Sequence, residues 1–487
     1  MVDSALSGGG QFRRIAIGDS PAGKPVMLVI VFICLLVPVI LSVGALNLHL
    51  SRALLLLMFF PMLFSWASGK TGSVHMVDFA VFAAALWSAL ALIVAHGFSN
   101  AIEPVGYQIV ETVGGYMVGR VLIRSPETFR SFVKINFIAI MILMPFAIIE
   151  TQTGEPPIIH FFSNFVNSTK IITYEARLGL ERAQVVFPHP ILYGVFCAAP
   201  LGMVIYVLNF RAATPVSMLR AFGVVVAAFC SVSTGAIMIL SLQYLFVLYD
   251  HVTRQVKSRW LLLLAAFVFV YVAIDLASNR TPFHVFVSYL TLNQGTSYTR
   301  ILIFDYGIQN VWANPIFGLG QKDWVRPFWL RPSVDNFWLL MAMRYGIPGF
   351  LLFIGSFILL IIQLAFRPFK TERMLSYRKG YLISLIGLMF ALATVHIWLS
   401  AYVWFMMMLG AGVWMLDYSD DAGDQAGDAA PAGDGRGMQR ARFGKAQPDE
   451  PVAVAVPAND ISRYTRFPAK PGPEARAVRA PHPRKGR

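Results

Sequence analysis

Apolar runs long enough to cross a bilayer recur along most of the 487 residues, and no other feature constrains the fold as strongly. About 30 Å of hydrocarbon takes about 20 residues of helix. Such runs lie near 26–46, 53–68, 75–96, 105–123, 131–150, 188–209, 217–232, 235–250, 260–277, 346–366, 380–399 and 401–417. Inside hydrocarbon the backbone must satisfy its own hydrogen bonds, so the predicted fold is all-α: a polytopic membrane protein of about 12 transmembrane helices. Composition agrees. Hydrophobic residues make up 56% and charged residues 14%, where soluble domains carry about 45–50% and about 25%. That balance excludes an ordinary globular enzyme.

The net charge of +14 would suggest nucleic acid in a soluble protein. Here Lys and Arg punctuate the apolar runs instead, as cytoplasmic loops do, and no nucleic-acid partner is expected. With the N-terminus inside, Lys70, Arg124, Arg130, Arg211, Arg220, Arg254, Lys257, Arg259 and the group Arg367 to Lys379 all fall on the cytoplasmic side. An even number of crossings returns the C-terminus there. Segment 1–25 reads as a cytoplasmic start, and the run after it is too long for a removable signal peptide. Residues 26–418 read as the membrane domain. Beyond 419 the chain turns to Ala, Gly, Pro and charge, which predicts a disordered cytoplasmic tail to 487.

This threading leaves two long segments outside the membrane, about 151–187 and about 278–345. They hold too many aromatics (Phe161, Phe162, Tyr174, Trp312, Trp324, Phe328, Trp329) to be solvated tails. A helix is predicted from Thr296 or Ser297 to Ala313, before Asn314-Pro315, and a second from Asp335 to Tyr345, before the break Gly346-Ile347-Pro348-Gly349. The outer segments also group arginines: Arg177, Arg182, Arg280, Arg300, Arg326, Arg331 and Arg344. Guanidinium groups bind phosphate bidentately and stay charged in partly dry sites. A single outer arginine is more often engaged with headgroups or with a local acid such as Asp305 or Asp323. The group together suits an anionic lipid-linked ligand.

Acids are scarce, which draws attention to Asp335-Asn336. A carboxylate there suits a general base toward a hydroxyl, and equally an N-cap of the following helix. His189, in Phe187-Pro188-His189-Pro190, suits a donor to a substrate or a structural helix start. Cys34, Cys197 and Cys230 all lie in apolar runs, and His160, His284 and His396 have no partners at metal-ligand spacing, so no metal site and no cofactor are expected. Glu111 and Arg120 sit nine residues apart on opposite faces of one helix, so each needs its own partner inside the bundle. Gly115 and Gly119 form a GxxxG that suits close helix packing.

Two stretches carry a resemblance. Arg177-Leu178-Gly179-Leu180-Glu181-Arg182-Ala183, followed by Phe187-Pro188-His189-Pro190-Ile191 and Tyr193-Gly194, resembles the segment before a span in the O-antigen ligase and Wzy-type polymerase superfamily. Arg300, Asn314-Pro315, Gly318-Leu319-Gly320, Asp335-Asn336 and Gly346-Ile347-Pro348-Gly349 are similar to that superfamily's long periplasmic loop and the helix after it. The resemblance implies a metal-independent membrane glycosyltransferase of the bacterial inner membrane, with an undecaprenyl-diphosphate-linked glycan as donor at the periplasmic face. It implies Asp335, Arg300 and Arg182 as catalytic residues and Arg177, His189, Arg280, Arg326, Arg331 and Asn336 as substrate-binding ones. The ligase branch commonly has a histidine where this chain has Asp335. That departure favours a polymerase of exopolysaccharide or O-antigen repeat units over a ligase acting on lipid A core. A chain-length regulator or flippase of the same pathway is an expected partner, beside the lipid bilayer itself.

The rival of another class is a flippase for lipid-linked oligosaccharide, which makes no bond. A transporter is expected to show repeated halves and broken or ionisable spans near the midplane. This chain concentrates its candidate residues in two outer segments instead.

Overall fold

The computed structural model of the protein describes residues 23–44, 46–278, 284–285 and 294–419. Most of the expected segment 1–25, nearly all of the tail and Arg280 lie outside the described residues. Among those described, eight helices are long and apolar enough to cross a membrane. They are α2 (Leu50–Ala67), α3 (Met76–His96), α6 (Pro126–Thr153), the run Pro190–Leu208, α11 (Thr234–Val252), α12 (Arg259–Ala277), α14 (Phe337–Phe366) and the run Ser400–Asp417. The run Pro190–Leu208 comprises α8 (Pro190–Ala198), α9 (Leu201–Met203) and a π-helical turn, and Ser400–Asp417 comprises α16 (Ser400–Gly410) and α17 (Trp414–Asp417). The remaining four apolar runs hold shorter, bent or more polar helices. These are α1 (Gly23–Leu36), α4 (Phe98–Ile109) with α5 (Gly115–Leu122), α10 (Thr214–Phe229) and α15 (Glu372–Ala391).

Local chemistry explains where the chain departs from its apolar pattern. The run expected as one helix over 26–46 stops at Leu36, ahead of Pro38, and the chain folds into a hairpin of β1 (Ile40–Val43) and β2 (Leu46–His49). Gly44, at φ 61°, supplies the left-handed turn. A helix over 26–46 is thus corrected, and among the described residues the strands are those of this hairpin, beside two isolated bridges. Ile40 N–H donates to Asn167 O at 2.8 Å, tying the hairpin to the segment after α7 (Pro157–Ser163). Between α4 and α5 the turn Val110–Gly114 is π-helical, so residues 98–122 form one bent element.

Charged side chains inside the bundle are paired. Glu111 meets Arg52 at 2.5 Å, and Arg120 meets Asp78 at 3.2 Å while donating to the carbonyls of Thr71 and Ser73 at 2.6 Å each. Both residues face the interior and not each other, as their spacing requires. Full satisfaction is what makes a charge tolerable there. Gly115 and Gly119 let α5 lie directly on α16, because a Cβ at Gly115 would stand 2.9 Å from Val403 O and one at Gly119 would collide with Met407 O.

The outer helix α13 runs Gln294–Ala313, beginning ahead of the expected caps Thr296 and Ser297 and ending before Asn314-Pro315 as expected. The segment expected as a separate helix over 335–345 continues into the next span as α14, kinked at Gly346 (φ 72°, ψ 179°). The kink frees carbonyls, and each finds a donor: Leu319 N to Met343 O at 2.7 Å, Gly320 N to Arg344 O at 3.0 Å, and Trp87 Nε1 to Tyr345 O at 2.9 Å. The segment 315–320 is thereby sewn onto the break. At the far side, α15 ends at Ala391 rather than near 399, and residues 392–399 form an irregular segment ending at Leu399, φ 53°.

Candidate functional site

A cavity of about 580 Å³ opens where four segments converge: the stretch before α8, the loop between α13 and α14, the first turns of α14, and the irregular segment 392–399. Its volume lies in the range of small-ligand sites. Arg177, Arg182, Arg331 and Asp335 line it together with His189, His396 and Trp398, and Arg344 and Lys322 are also at the wall.

Each wall is held by identifiable contacts. Glu150, 2% exposed near the end of α6, accepts the backbone N–H groups of Gln184 and Val185 at 2.8 Å each. Ala183 N–H donates to Cys230 O at 3.1 Å. These bonds fix the strand of chain immediately after Arg182, where Val185 takes a left-handed φ of 57°. On the opposite wall, Asn310 of α13 accepts Val325 N–H and donates to Val325 O, both at 2.9 Å. Trp324 Nε1 donates to Pro332 O at 2.9 Å. Arg326 bonds Asp323 at 2.5 Å and Leu330 O at 2.9 Å, and lies over the Trp324 ring. Arg326 therefore braces the loop and does not line the cavity.

Asn336 caps α14: its side chain accepts Leu339 N–H at 3.0 Å. The capping role expected of Asp335 belongs to its neighbour, and Asp335 lines the cavity. Burial raises the Asp335 pKa above the ordinary carboxylate value, opposed by the positive charges of Arg300, Arg331, Arg177 and Arg182. A carboxylate shielded from water yet close to four guanidinium groups binds protons more readily than usual while the positive charges limit the shift.

Two of those arginines keep buried N–H groups without a protein partner, at Nε and Nη2 of Arg182 and at Nε and Nη1 of Arg300. Burial lowers the Arg182 pKa to about 10, helped by Arg177, and the Arg182 guanidinium lies 5.3 Å from the Tyr174 ring centroid. Burial lowers that of Arg300 too, while Asp335 opposes it. Unsatisfied buried donors on a cation are costly unless a ligand satisfies them. Their number and fork geometry match phosphate oxygens.

His189 is the N-cap of α8, its Nδ1 accepting Ile191 N–H at 3.0 Å. Burial, with Arg182 and Arg177 nearby, lowers its pKa to about 4. It is therefore neutral near pH 7, and with Nδ1 occupied as an acceptor its proton sits on Nε2. Both roles foreseen for it, helix start and donor beside the site, are compatible in one residue. Among the described residues no cluster of three or more His, Cys, Asp or Glu side chains is disposed to hold a metal ion.

The structure thus brings together Arg177, Arg182, His189, Arg331 and Asp335 at the cavity, with Arg300 behind Asp335. Asn336 and Arg326 shape the walls. His396 and Trp398 escape sequence reasoning because they end an apolar run that reads as a helix to 399, and only the stop at Ala391 turns them inward.

A family model described as O-antigen ligase matches residues 219–354. Those residues are similar to the O-antigen ligase/Wzy-type domain. The domain match spans α10 to the middle of α14 and contains Arg300, Arg326, Arg331, Asp335 and Asn336; Arg177, Arg182 and His189 lie ahead of it. A search of curated proteins finds no match to the chain. Together with the apolar helices, this similarity supports a membrane protein of O-antigen-type polysaccharide assembly.

Proposed function

We propose that the protein is a glycosyltransferase of the bacterial inner membrane that polymerises undecaprenyl-diphosphate-linked repeat units at the periplasmic face. Both termini lie in the cytoplasm in this reading, and the cavity opens to the periplasm between the two outer segments. The observation that carries the proposal is the set of unpartnered guanidinium N–H groups of Arg182 and Arg300 around the half-buried Asp335.

In the reaction an acceptor sugar hydroxyl attacks the anomeric carbon of the donor, and the bond from that carbon to the diphosphate oxygen breaks. Asp335 accepts the hydroxyl proton as the new glycosidic bond forms. Arg182 and Arg300, with Arg177 and Arg331, neutralise the charge that develops on the departing undecaprenyl diphosphate. Being held in place before substrate arrives, they need little reorganisation. His189 donates from Nε2 to a hydroxyl of the glycan. No step requires a metal ion.

A ligase shares this donor and these groups and differs only in the acceptor, and the description of the matching family favours it as the second reading. Deleting the gene and sizing the glycans on carrier, outer membrane and medium separates the possibilities. Single repeat units without long chains mean a polymerase. Long chains stranded on the carrier mean a ligase, and repeat units trapped on the cytoplasmic side mean a flippase.

A further inference from the structure

Beside the arginines, part of the cavity wall is made of neutral rings. His396 stacks on Trp398 with centroids 5.3 Å apart and planes 23° from parallel, and the His189 ring meets the same indole edge-on at 5.8 Å. Phe337 backs His396 at 6.2 Å and 17°. Tyr174 links this row to the charged side, lying 4.6 Å from His189 and beneath Arg182. His396 Nδ1 is buried without a hydrogen-bond partner.

Three features of this wall define a ligand. Trp398 is half-buried and offers an aromatic surface at the cavity. The two histidines flanking it are uncharged near pH 7: burial holds His396 at a pKa of about 3 and His189 at about 4, with neighbouring arginines adding to both effects. His189, its Nδ1 taken by Ile191 N–H, offers Nε2–H as a donor, and His396 offers the unpartnered Nδ1; uncharged groups of this kind match hydroxyl groups rather than phosphate. An isoprenoid chain would leave the orphaned His396 nitrogen buried and unsatisfied, at a penalty no apolar contact removes. A pyranose ring carries an apolar face for the indole and hydroxyls for the imidazoles.

We propose that Trp398, His396 and His189 form a saccharide subsite that receives a pyranosyl unit of the glycan, beside the arginine-lined half that receives the diphosphate. The inference rests on the proposed glycosyl transfer and adds which part of the cavity reads the sugar. The segment 392–399 is placed for this by Phe337 N–H, which donates to Leu392 O at 2.8 Å and to Val395 O at 3.1 Å. The same contacts tie the subsite to the start of α14, one residue beyond the adjacent pair Asp335-Asn336.

The test uses the purified full-length protein and two probes measured separately: undecaprenyl diphosphate, and the repeat-unit oligosaccharide released from the lipid-linked pool. Trp398→Ala and His396→Phe are expected to weaken oligosaccharide binding about tenfold, the scale of an aromatic contact, and to leave undecaprenyl diphosphate binding unchanged. Trp398→Phe should restore most of the loss, and Arg182→Ala should show the opposite selectivity. In turnover, a raised KM for the released oligosaccharide used as acceptor places the acceptor sugar in the subsite, and a raised KM for the lipid-linked donor places the donor sugar there. Unchanged oligosaccharide binding in correctly folded Trp398→Ala, or loss of undecaprenyl diphosphate binding instead, overturns the subsite. Wild-type protein that binds the sugar but not the diphosphate lipid would overturn the proposed transfer reaction and leave the subsite standing.

Discussion

Asn336 takes the cap of α14 by accepting Leu339 N–H at 3.0 Å, and this leaves the adjacent Asp335 carboxylate to line the cavity among arginines. Two neighbouring residues of similar capping propensity thus divide two tasks. The division predicts opposite phenotypes. Asp335→Asn keeps shape and removes the proton acceptor, so turnover should fall about 10²- to 10⁴-fold with the protein still in the membrane. Asn336→Ala should instead cost about 1 kcal/mol of stability through the lost cap, read as a lower thermal midpoint.

Arg182 and Arg300 present buried N–H groups with no protein partner. Replacing either with Ala should remove about 10² to 10³ in turnover, since each contributes charge stabilisation at the leaving diphosphate. Lysine in either position keeps the charge but loses the fork, and should recover only part of it. Normal polymer from both alanine variants, sized on gels beside membrane protein levels, would remove these residues from the mechanism.

Glu150 acts on the site from behind, through backbone bonds at 2.8 Å to Gln184 and Val185. Glu150→Gln can accept only one of these two N–H groups with its carbonyl oxygen, leaving a buried donor unpaired at about 1–3 kcal/mol. Combined with Arg182→Lys, the variant should be less than additive in turnover, because both act on the position of the same guanidinium. Strict additivity would show that Glu150 serves stability alone.

The histidines of the cavity predict a pH dependence with a defined sign. His189 near 4 and His396 near 3 lie below the ordinary 6.5. Between these values the unfolded chain takes up protons that the folded chain refuses, so stability is full above about pH 6.5 and falls as pH drops toward about 4. The thermal midpoint should therefore decline from about pH 7.5 to about pH 5, and His396→Phe should flatten the decline.

Much of the architecture is legible in the sequence because hydrocarbon imposes length and backbone satisfaction together. That physics marks α2, α3, α6, α11 and α12 clearly. It fails where an apolar run meets a local breaker or a tertiary donor. Pro38 and Gly44 turn the end of the first run into a hairpin, and the bond from Phe337 N–H to Leu392 O accompanies the irregular segment after α15. Hydropathy has no means to register either. The charged half of the site is readable because arginine in an outer segment is conspicuous; the neutral half is not, because Trp398 and His396 are ordinary ends of a span until the backbone turns.

The most direct test is reconstitution of the full-length protein in vesicles with excess undecaprenyl-diphosphate-linked repeat units, following glycan length and released undecaprenyl diphosphate together. Dimers and longer chains are expected, with one undecaprenyl diphosphate freed per bond, and loss of both products in Asp335→Asn and in the Arg182→Ala, Arg300→Ala double variant. Movement of repeat units across the bilayer with no new glycosidic bond and no freed carrier would contradict the proposed transfer.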